Sequence, residues 1–268
     1  MTLTRPARIG LRLVALGYLA VLLLLPVGLV FEKTFAQGLS AVWAAITTPA
    51  AVSAFWLTVE IALIAVVANT IFGVVCALVL VRGSGRGRWL LDVLIEVPFV
   101  ISPVIVGLSL ILVYGTTGWF GKWLVRHGIT VIFNPLGMIL ATVFVSLPFV
   151  VREVVPVLRE VGTEQEQAAA TLGASPLQTF LRITLPSIRW GLAYGVVLST
   201  ARALGEFGAV LIVSGNIAGQ TQTLPLLVDT RFYAFDNAGA YTAGALLAAI
   251  SILVLLVMTA TAPDKRRL

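Results

Sequence analysis

The sequence predicts an all-α integral membrane protein with about six transmembrane helices. The first observation behind this prediction is composition: 59% of the 268 residues are hydrophobic and only 11% are charged, and the mean hydropathy is +1.03. Soluble domains carry about 25% charged residues, and a soluble core of this length could not bury so much apolar surface. The second observation is that the apolar residues fall into runs of about 20 residues, the length that crosses a bilayer as a helix.

Six apolar runs are long enough to be transmembrane helices. The first, 11–31, is longer than the apolar region of a secretory signal peptide and is followed by a poor cleavage site, so we expect it to be retained. Prolines interrupt the third and fourth runs, where neighbouring helices can satisfy the carbonyl groups that a proline frees. The other five runs are 55–81, 93–114, 136–155, 191–213 and 242–262.

The distribution of Lys and Arg predicts the orientation of these helices, because basic residues are enriched in cytoplasmic loops. With a cytoplasmic N-terminus, the outer side holds only Lys33, Lys122, Arg126 and Arg231, and Arg202 lies within a run. We therefore predict that both termini are cytoplasmic. The predicted cytoplasmic set is Arg5, Arg8, Arg12, Arg82, Arg86, Arg88, Arg152, Arg159, Arg182, Arg189, Lys265, Arg266 and Arg267.

The sequence argues against several classes of function. The net charge of +6 does not indicate nucleic-acid binding, because the basic residues lie at the ends of apolar runs rather than on one polar face. One cysteine, Cys76, and one histidine, His127, argue against a protein-only zinc, haem or iron–sulfur site. The phosphate-binding pattern Gly-x4-Gly-Lys-Ser/Thr does not occur. We therefore expect no catalytic residue, no metal and no cofactor on this chain.

A polar segment between the fourth and fifth runs breaks the apolar pattern. Thr163, followed three residues later by Glu166, is a capping-box pattern, and Gly173 suits the end of a short helix. Ser175-Pro176 is typical of the start of a second helix, which Pro186 is expected to break. The pattern predicts two short helices at an angle to each other on the cytoplasmic face.

Two interpretations of this segment stay open from the pattern alone. Residues 168–170 are alanines, which give the first helix a smooth face, and Phe180, Ile183 and Leu185 could supply apolar anchors. A short helix that docks into the groove of a partner protein is built in this way. The alternative is an ordinary amphipathic connector that lies on the membrane surface.

Arg202 and Glu206 are charged residues inside the predicted fifth helix. A charge at the bilayer centre costs about 2.5–3.5 kcal/mol on insertion scales, and the i, i+4 spacing allows these two side chains to pair. A structural ion pair and a gate or pathway element for an anion both fit this pattern. Glu60 and Glu96 are further intramembrane carboxylates that could pair with Arg202 or with a partner subunit, and Asn69 is expected to hydrogen-bond across helices.

The polar segment resembles the cytoplasmic signature of ABC-importer permeases: Glu-Ala-Ala, three residues, Gly, nine residues, Ile-x-Leu-Pro. Gln167 stands where that family usually has Glu, and Glu166 directly precedes it. The resemblance implies the type I ABC-importer permease fold, in which this loop is the coupling helix that enters a cleft of a separate cytoplasmic ATPase. The residues implied in ATPase coupling are Glu166, Gln167, Ala168, Ala169, Gly173, Ile183, Leu185 and Pro186.

Segments outside the loop are similar to the permeases of sulfate/thiosulfate importers, and in particular to the W-type subunit of their two-permease pair. These segments are VPFVISPVIVGL, SLPFVVREVVPVL and ITLPSIRWGLAYGVVLSTARALGEFGAV. Segment 202–208 also resembles molybdate-type permeases, so molybdate or tungstate is an alternative cargo. The resemblance implies a bacterial inner-membrane complex of a second, homologous permease, two ATPase subunits and a periplasmic sulfate/thiosulfate-binding protein.

Three regions follow from these patterns. Residues 1–53 are expected to hold a cytoplasmic start, the first transmembrane helix and an outer loop. Residues 54–260 are expected to form the permease domain, and 261–268 a basic cytoplasmic tail.

A secondary carrier driven by an ion gradient is an alternative function, whereas no nucleophile–base pair supports an intramembrane enzyme. The residues predicted to line a pathway or gate are Arg202, Glu206, Glu60 and Glu96.

Overall fold

The computed structural model describes residues 5–85 and 87–261, and the side chains of 9–85 and 87–257. The described residues are helices joined by turns, without a strand among them, which confirms the all-α prediction. The helices are α1 (Arg5–Leu19), α2 (Leu25–Phe35), α3 (Leu39–Ile46), α4 (Pro49–Arg82), α5 (Arg88–Val100), α6 (Pro103–Tyr114), α7 (Gly121–Arg126), α8 (Pro135–Val161), α9 (Glu164–Thr171), α10 (Pro176–Thr179), α11 (Leu185–Leu204), α12 (Gly208–Val213), α13 (Leu224–Tyr233) and α14 (Asn237–Thr261).

Four of the described helical stretches are long and apolar enough to cross a membrane. They contain most of the first, second, fourth and sixth predicted runs. The four stretches are Ile9–Phe35, Pro49–Arg82, Pro135–Val161 and Asn237–Val257.

The predictions for Arg86 and for the tail residues Lys265, Arg266 and Arg267 lie outside the described residues, and the three-region division stays a prediction.

Local sequence sets where the two central helices begin. Thr48 and Asn134 precede prolines, and their side-chain oxygens accept hydrogen bonds from the N–H groups of Ala51 and Leu136, both at 3.3 Å. A proline at the first helical position removes an N–H group that would have no partner there. Caps of this kind therefore start α4 at Pro49 and α8 at Pro135.

The third predicted run is not one straight helix. Helices α5 and α6 meet at a bend of 112°, so together they form a broken span or a re-entrant loop. The physical cause is Pro103, which disfavours helical geometry in the residue before it. Ser102 accordingly has ψ 136°, and Ile101 has ψ 131°.

The fifth predicted run is also broken. Helix α11 starts before it and ends at Leu204, and α12 begins only at Gly208. Helix α11 has 20 residues, about 30 Å of length, but it is not among the stretches that are apolar enough to cross a membrane. Its arginines and hydroxyl side chains lower its apolar content. The prediction of one continuous apolar helix over 191–213 was therefore wrong.

Helix α8 is the centre of the bundle, with α4 and α11 packed against it. Glycines allow the close approach: a Cβ atom on Gly195 would lie 2.8 Å from the Cα atom of Val150, and one on Gly73 would lie 2.7 Å from Cγ1 of the same valine. Asn69 on α4 donates to the carbonyl oxygen of Val143 at 3.0 Å and to Oγ of Ser146 at 2.9 Å, which confirms the predicted bond across helices.

Candidate functional site

The predicted coupling loop forms a short helix, α9, that ends at a glycine turn. Gly173 has φ +85°, a conformation that only glycine adopts without strain. Its N–H group donates to the carbonyl oxygen of Ala170 at 3.0 Å, and that of Ala174 donates to Ala169 at 3.0 Å. These bonds satisfy carbonyl groups that the helix end leaves free, and they confirm the predicted stop at Gly173.

The predicted capping box at the start of α9 is wrong. The side chain of Thr163 caps no N–H group of the helix, and its Oγ1 instead accepts a bond from Nε2 of Gln167 at 3.2 Å. Glu166 does not reach back to Thr163, because its carboxylate is engaged by Arg82 and Thr184 from other parts of the chain. A long-range ion pair thus overrides a local capping preference.

The second half of the loop begins as predicted and ends differently. Ser175 and Gln178 cap each other reciprocally at the start of α10. Pro186 does not break the helix, because α10 continues through a π-helical turn, Phe180–Thr184, directly into α11. In that turn the N–H group of Leu185 bonds to the carbonyl oxygen of Phe180, so the chain has already changed its bonding pattern before the proline.

The apolar residues that face outward from the loop are not the predicted ones. Phe180 and Leu185 pack against the buried cluster between α4, α8 and α11, and Ile183 is half-buried. The exposed apolar side chains are Leu172, Leu177 and Leu181, at 88%, 67% and 51% exposure. The i, i+4 spacing of Leu177 and Leu181 was the sequence signal that could have identified them.

The alanine motif is divided between two faces of α9. Ala168 and Gln167 are exposed, whereas Ala169 is buried at 8% exposure. Pro186 is exposed on α11. The structure therefore places Gln167, the residue at the usual glutamate position, on the outer face, and it turns Glu166 towards the bundle.

Glu166 joins α9 to the end of α4 and to the residue that precedes α11. Nε of Arg82, the last residue of α4, donates to Oε2 of Glu166 at 3.0 Å, and Oγ1 of Thr184 donates to Oε1 at 2.8 Å. Arg82 also donates to the carbonyl oxygen of Gly162, the residue between α8 and the loop. Both charged side chains are 20% exposed. The arrangement draws the ends of α4, α8, α9 and α11 together.

The second charged centre lies at the break between α11 and α12. Nη2 of Arg202 lies 3.0 Å from Oε2 of Glu206, a charge contact without hydrogen-bond geometry. Oε1 of Glu206 accepts from the N–H group of Ala209 at 2.9 Å and so satisfies the start of α12. The side chain of Glu206 is 2% exposed and that of Arg202 is 36% exposed. The carboxylate of this pair is therefore buried, whereas its guanidinium is partly exposed.

A cavity beside Glu206 is too small for an oxyanion. It measures about 10 Å³ and is also lined by Thr58, Thr142 and Thr223. This is room for about one water molecule. In this conformation the described residues around Glu206 thus form a closed polar contact rather than an open anion site.

Glu96 and Glu60 do not join Arg202. Arg152 on α8 donates to Glu96 through Nε at 2.9 Å and again through Nη2, and its guanidinium lies 4.5 Å from the ring centre of Phe99. Glu60 is exposed on α4, and the described residues give it no ion pair. Of the four predicted pathway residues, Arg202 and Glu206 therefore lie together, whereas Glu96 and Glu60 lie at two other places.

The chain is similar to a known family over most of its length. Residues 69–267 match the family described as binding-protein-dependent transport system inner membrane component. The sulfate transport system permease protein CysW of Synechocystis is 48% identical, with 90% of this chain and 87% of that protein covered. CysW of Escherichia coli is 46% identical over 91% and 84%, and CysT of the same organism is 38% identical over 90% and 87%.

Solved structures show the same fold at low identity. A crystal structure of a bacterial ABC transporter involved in the import of the acidic polysaccharide alginate contains a chain that matches with a TM-score of 0.78 and 17% identity. The match covers 97% of this chain and 95% of that one. At this identity the likeness concerns the arrangement of helices alone.

Proposed function

We propose that this chain, which belongs to the family of binding-protein-dependent transport system inner membrane components, is a permease subunit of an ATP-driven importer for sulfate or thiosulfate. The observation that carries the proposal is its likeness to sulfate permeases along nearly the whole chain, at 48% identity for the Synechocystis protein. The coupling motif on an exposed loop supports the same function. The chain itself would move the anion across the membrane and catalyse no reaction.

The coupling loop would be the contact with a separate ATPase. Leu172, Leu177 and Leu181 are exposed on it, and transfer of large apolar side chains from water into a protein cleft lowers the free energy. Ala168 would let the partner's backbone approach closely, because its side chain is small. ATP hydrolysis on the partner chain would then move α9, and no cofactor on this chain is needed for that step.

The remaining partners follow from the family. We propose a second, homologous permease of the CysT type, two ATPase subunits and a periplasmic binding protein that selects the anion. Both termini would be cytoplasmic, since α9 must face the ATPase and the basic residues favour that side. The protein would then span a bacterial inner membrane.

Arg202 would take part in a gate. Its guanidinium is partly exposed and can present planar donors to an anion. Glu206 beside it disfavours a tight anion site, which suits a transporter that must release its cargo. Glu60 and Glu96 would lie near the pathway or at the contact with the second permease, where a carboxylate can meet a cation.

Reconstitution of the whole complex tests the function. Vesicles containing both permeases and the ATPase subunits, supplied with binding protein and ATP, should take up radiolabelled sulfate, and omission of ATP should stop uptake. Thiosulfate should compete, whereas molybdate and tungstate should not. Uptake without any ATPase and ATP would exclude the ATP-driven importer function and favour a carrier driven by an ion gradient. Competition by molybdate alone would identify molybdate, rather than sulfate or thiosulfate, as the cargo.

A further inference from the structure

We propose that Arg82, Glu166 and Thr184 form a clamp that transmits movement of α9 to helices α4 and α11 of the bundle. The proposal rests on the proposed function, since it assumes an ATPase that moves α9. It assigns Glu166 to the bundle side of the loop rather than to the ATPase contact. Arg82 and Thr184, which lie outside the family motif or between its fixed positions, become positioning residues of the coupling step.

The three contacts converge on one carboxylate. Oε2 of Glu166 accepts from Nε of Arg82 at 3.0 Å, and Oε1 accepts from Oγ1 of Thr184 at 2.8 Å and from Nη2 of Arg82 at 3.4 Å. Thr184 is 5% exposed, and the two charged side chains are 20% exposed. Such charge-assisted bonds are stronger than neutral ones and are screened less than a bond on the open surface. The carboxylate is therefore a firm point of attachment.

Helix α9 has few other means of attachment to the bundle. Its sequence, EQEQAAAT, contains no large apolar residue, and Ala169 is its single buried residue. A cleft of about 330 Å³, lined by Leu78, Phe180 and the three clamp residues among others, separates the loop from the bundle. Hydrophobic burial therefore contributes little here, and the polar clamp bridges the cleft.

The clamp reaches α4 and α11, which both pack on the central helix α8. Arg82 is the last residue of α4, and Thr184 directly precedes α11. Arg202, at the other end of α11, is about 27 Å away at 1.5 Å per residue. A displacement of Glu166 would thus act on the helix that carries the Arg202–Glu206 pair, because an α-helix moves as a rigid element over this distance.

The experiment measures sulfate uptake and ATP hydrolysis together in the reconstituted full complex. Arg82→Met, Glu166→Gln and Thr184→Val each remove one side of the clamp with little change in volume. We expect uptake per ATP hydrolysed to fall at least about fivefold, the lower end of typical coupling between sites, while ATP hydrolysis continues. Thr184→Ser keeps the hydroxyl and should behave as wild type.

Matched controls separate the clamp from general effects of charge removal. Arg159→Met and Glu160→Gln alter exposed charges in the last turn of α8 and should leave uptake per ATP unchanged. Each variant is also checked for thermal stability in detergent, so that a misfolded chain is not scored as uncoupled. A ratio of uptake to hydrolysis that falls in a stable complex is a change that a merely structural role would not produce.

A double variant decides whether the residues act as one unit. Arg82→Met combined with Glu166→Gln should lose no more than the more severe of the two single variants, because both remove the same ion pair. The swap Arg82→Glu with Glu166→Arg should restore part of the coupling. Losses that multiply, or single variants with wild-type coupling, would overturn the clamp. Absence of ATP-dependent uptake in the wild-type complex would instead overturn the proposed function.

Discussion

Arg82–Glu166 and Arg202–Glu206 are pairs of the same chemistry in different surroundings. Both have a nitrogen–oxygen distance of 3.0 Å. In the first pair both side chains are 20% exposed and come from separate helices, whereas in the second the glutamate is 2% exposed and its arginine lies one turn before it. The first pair therefore joins two separate helices, as the proposed clamp requires, and the second balances a buried charge. Their loss should therefore show in different measurements.

The largest change in stability is expected for Arg202→Ala. Removal of the arginine leaves the buried Glu206 carboxylate without its countercharge, and loss of one partner of a buried pair costs about 3–5 kcal/mol. Because Arg202 is partly exposed, we expect the lower end, about 3 kcal/mol. Thermal unfolding in detergent measures this loss of stability, and sulfate uptake is measured on the same variant.

The control for that variant is Arg202→Lys, which keeps a positive charge and should retain much of the stability. Glu206→Gln should be milder than Arg202→Ala, since the amide can still accept from the N–H group of Ala209. If Arg202→Ala had wild-type stability and wild-type uptake, neither a scaffold nor a gate role for this pair would survive.

Gly195→Ala should give the next largest loss of stability. Gly195 lies on α11, the helix between the two charged pairs. The new Cβ atom would lie 2.8 Å from the backbone of Val150, so α11 and α8 must separate. Overpacking of this kind costs about 1–3 kcal/mol. The midpoint of thermal unfolding in detergent checks this expectation.

Gly244→Ala on α14 is the matched control, since a Cβ atom there meets nothing within 4 Å. It should be neutral or slightly stabilising, because alanine favours a helix over glycine. Equal stability of the two alanine variants would contradict close packing of α11 on α8.

Substitution of Gly173 separates local strain from docking. Both Gly173→Ala and Gly173→Trp force a side chain into φ +85° and should cost about 1–2 kcal/mol. Only the tryptophan variant should block docking of the ATPase and abolish uptake, while the chain stays inserted in the membrane. Copurification of the ATPase with each variant measures docking, and unchanged transport by Gly173→Trp would refute the coupling role of the loop.

The comparison of the two pairs also shows what the sequence could and could not predict. The i, i+4 spacing identified Arg202–Glu206 directly, although Glu206 lies beyond the end of α11. Arg82 and Glu166 are joined by folding alone, and the sequence around Glu166 favoured a local cap instead. The spans could be found from their length and hydropathy, but the breaks at Ser102 and at Gly205 depend on backbone geometry and on packing, which hydropathy does not report.

The smallest effect is expected for Ser175→Ala, which tests whether the loop is held by its own cap or by the long-range pair. Oγ of Ser175 accepts from the N–H group of Gln178 at 3.3 Å in an exposed position. Loss of such a cap costs about 1 kcal/mol, and Ser175→Thr should recover it. Hydrogen exchange of α10 should rise, while uptake per ATP should stay close to wild type because Glu166 still holds α9. A loss of coupling as large as that of Glu166→Gln would show instead that the local cap positions the loop, and that the pair between α4 and α9 is secondary.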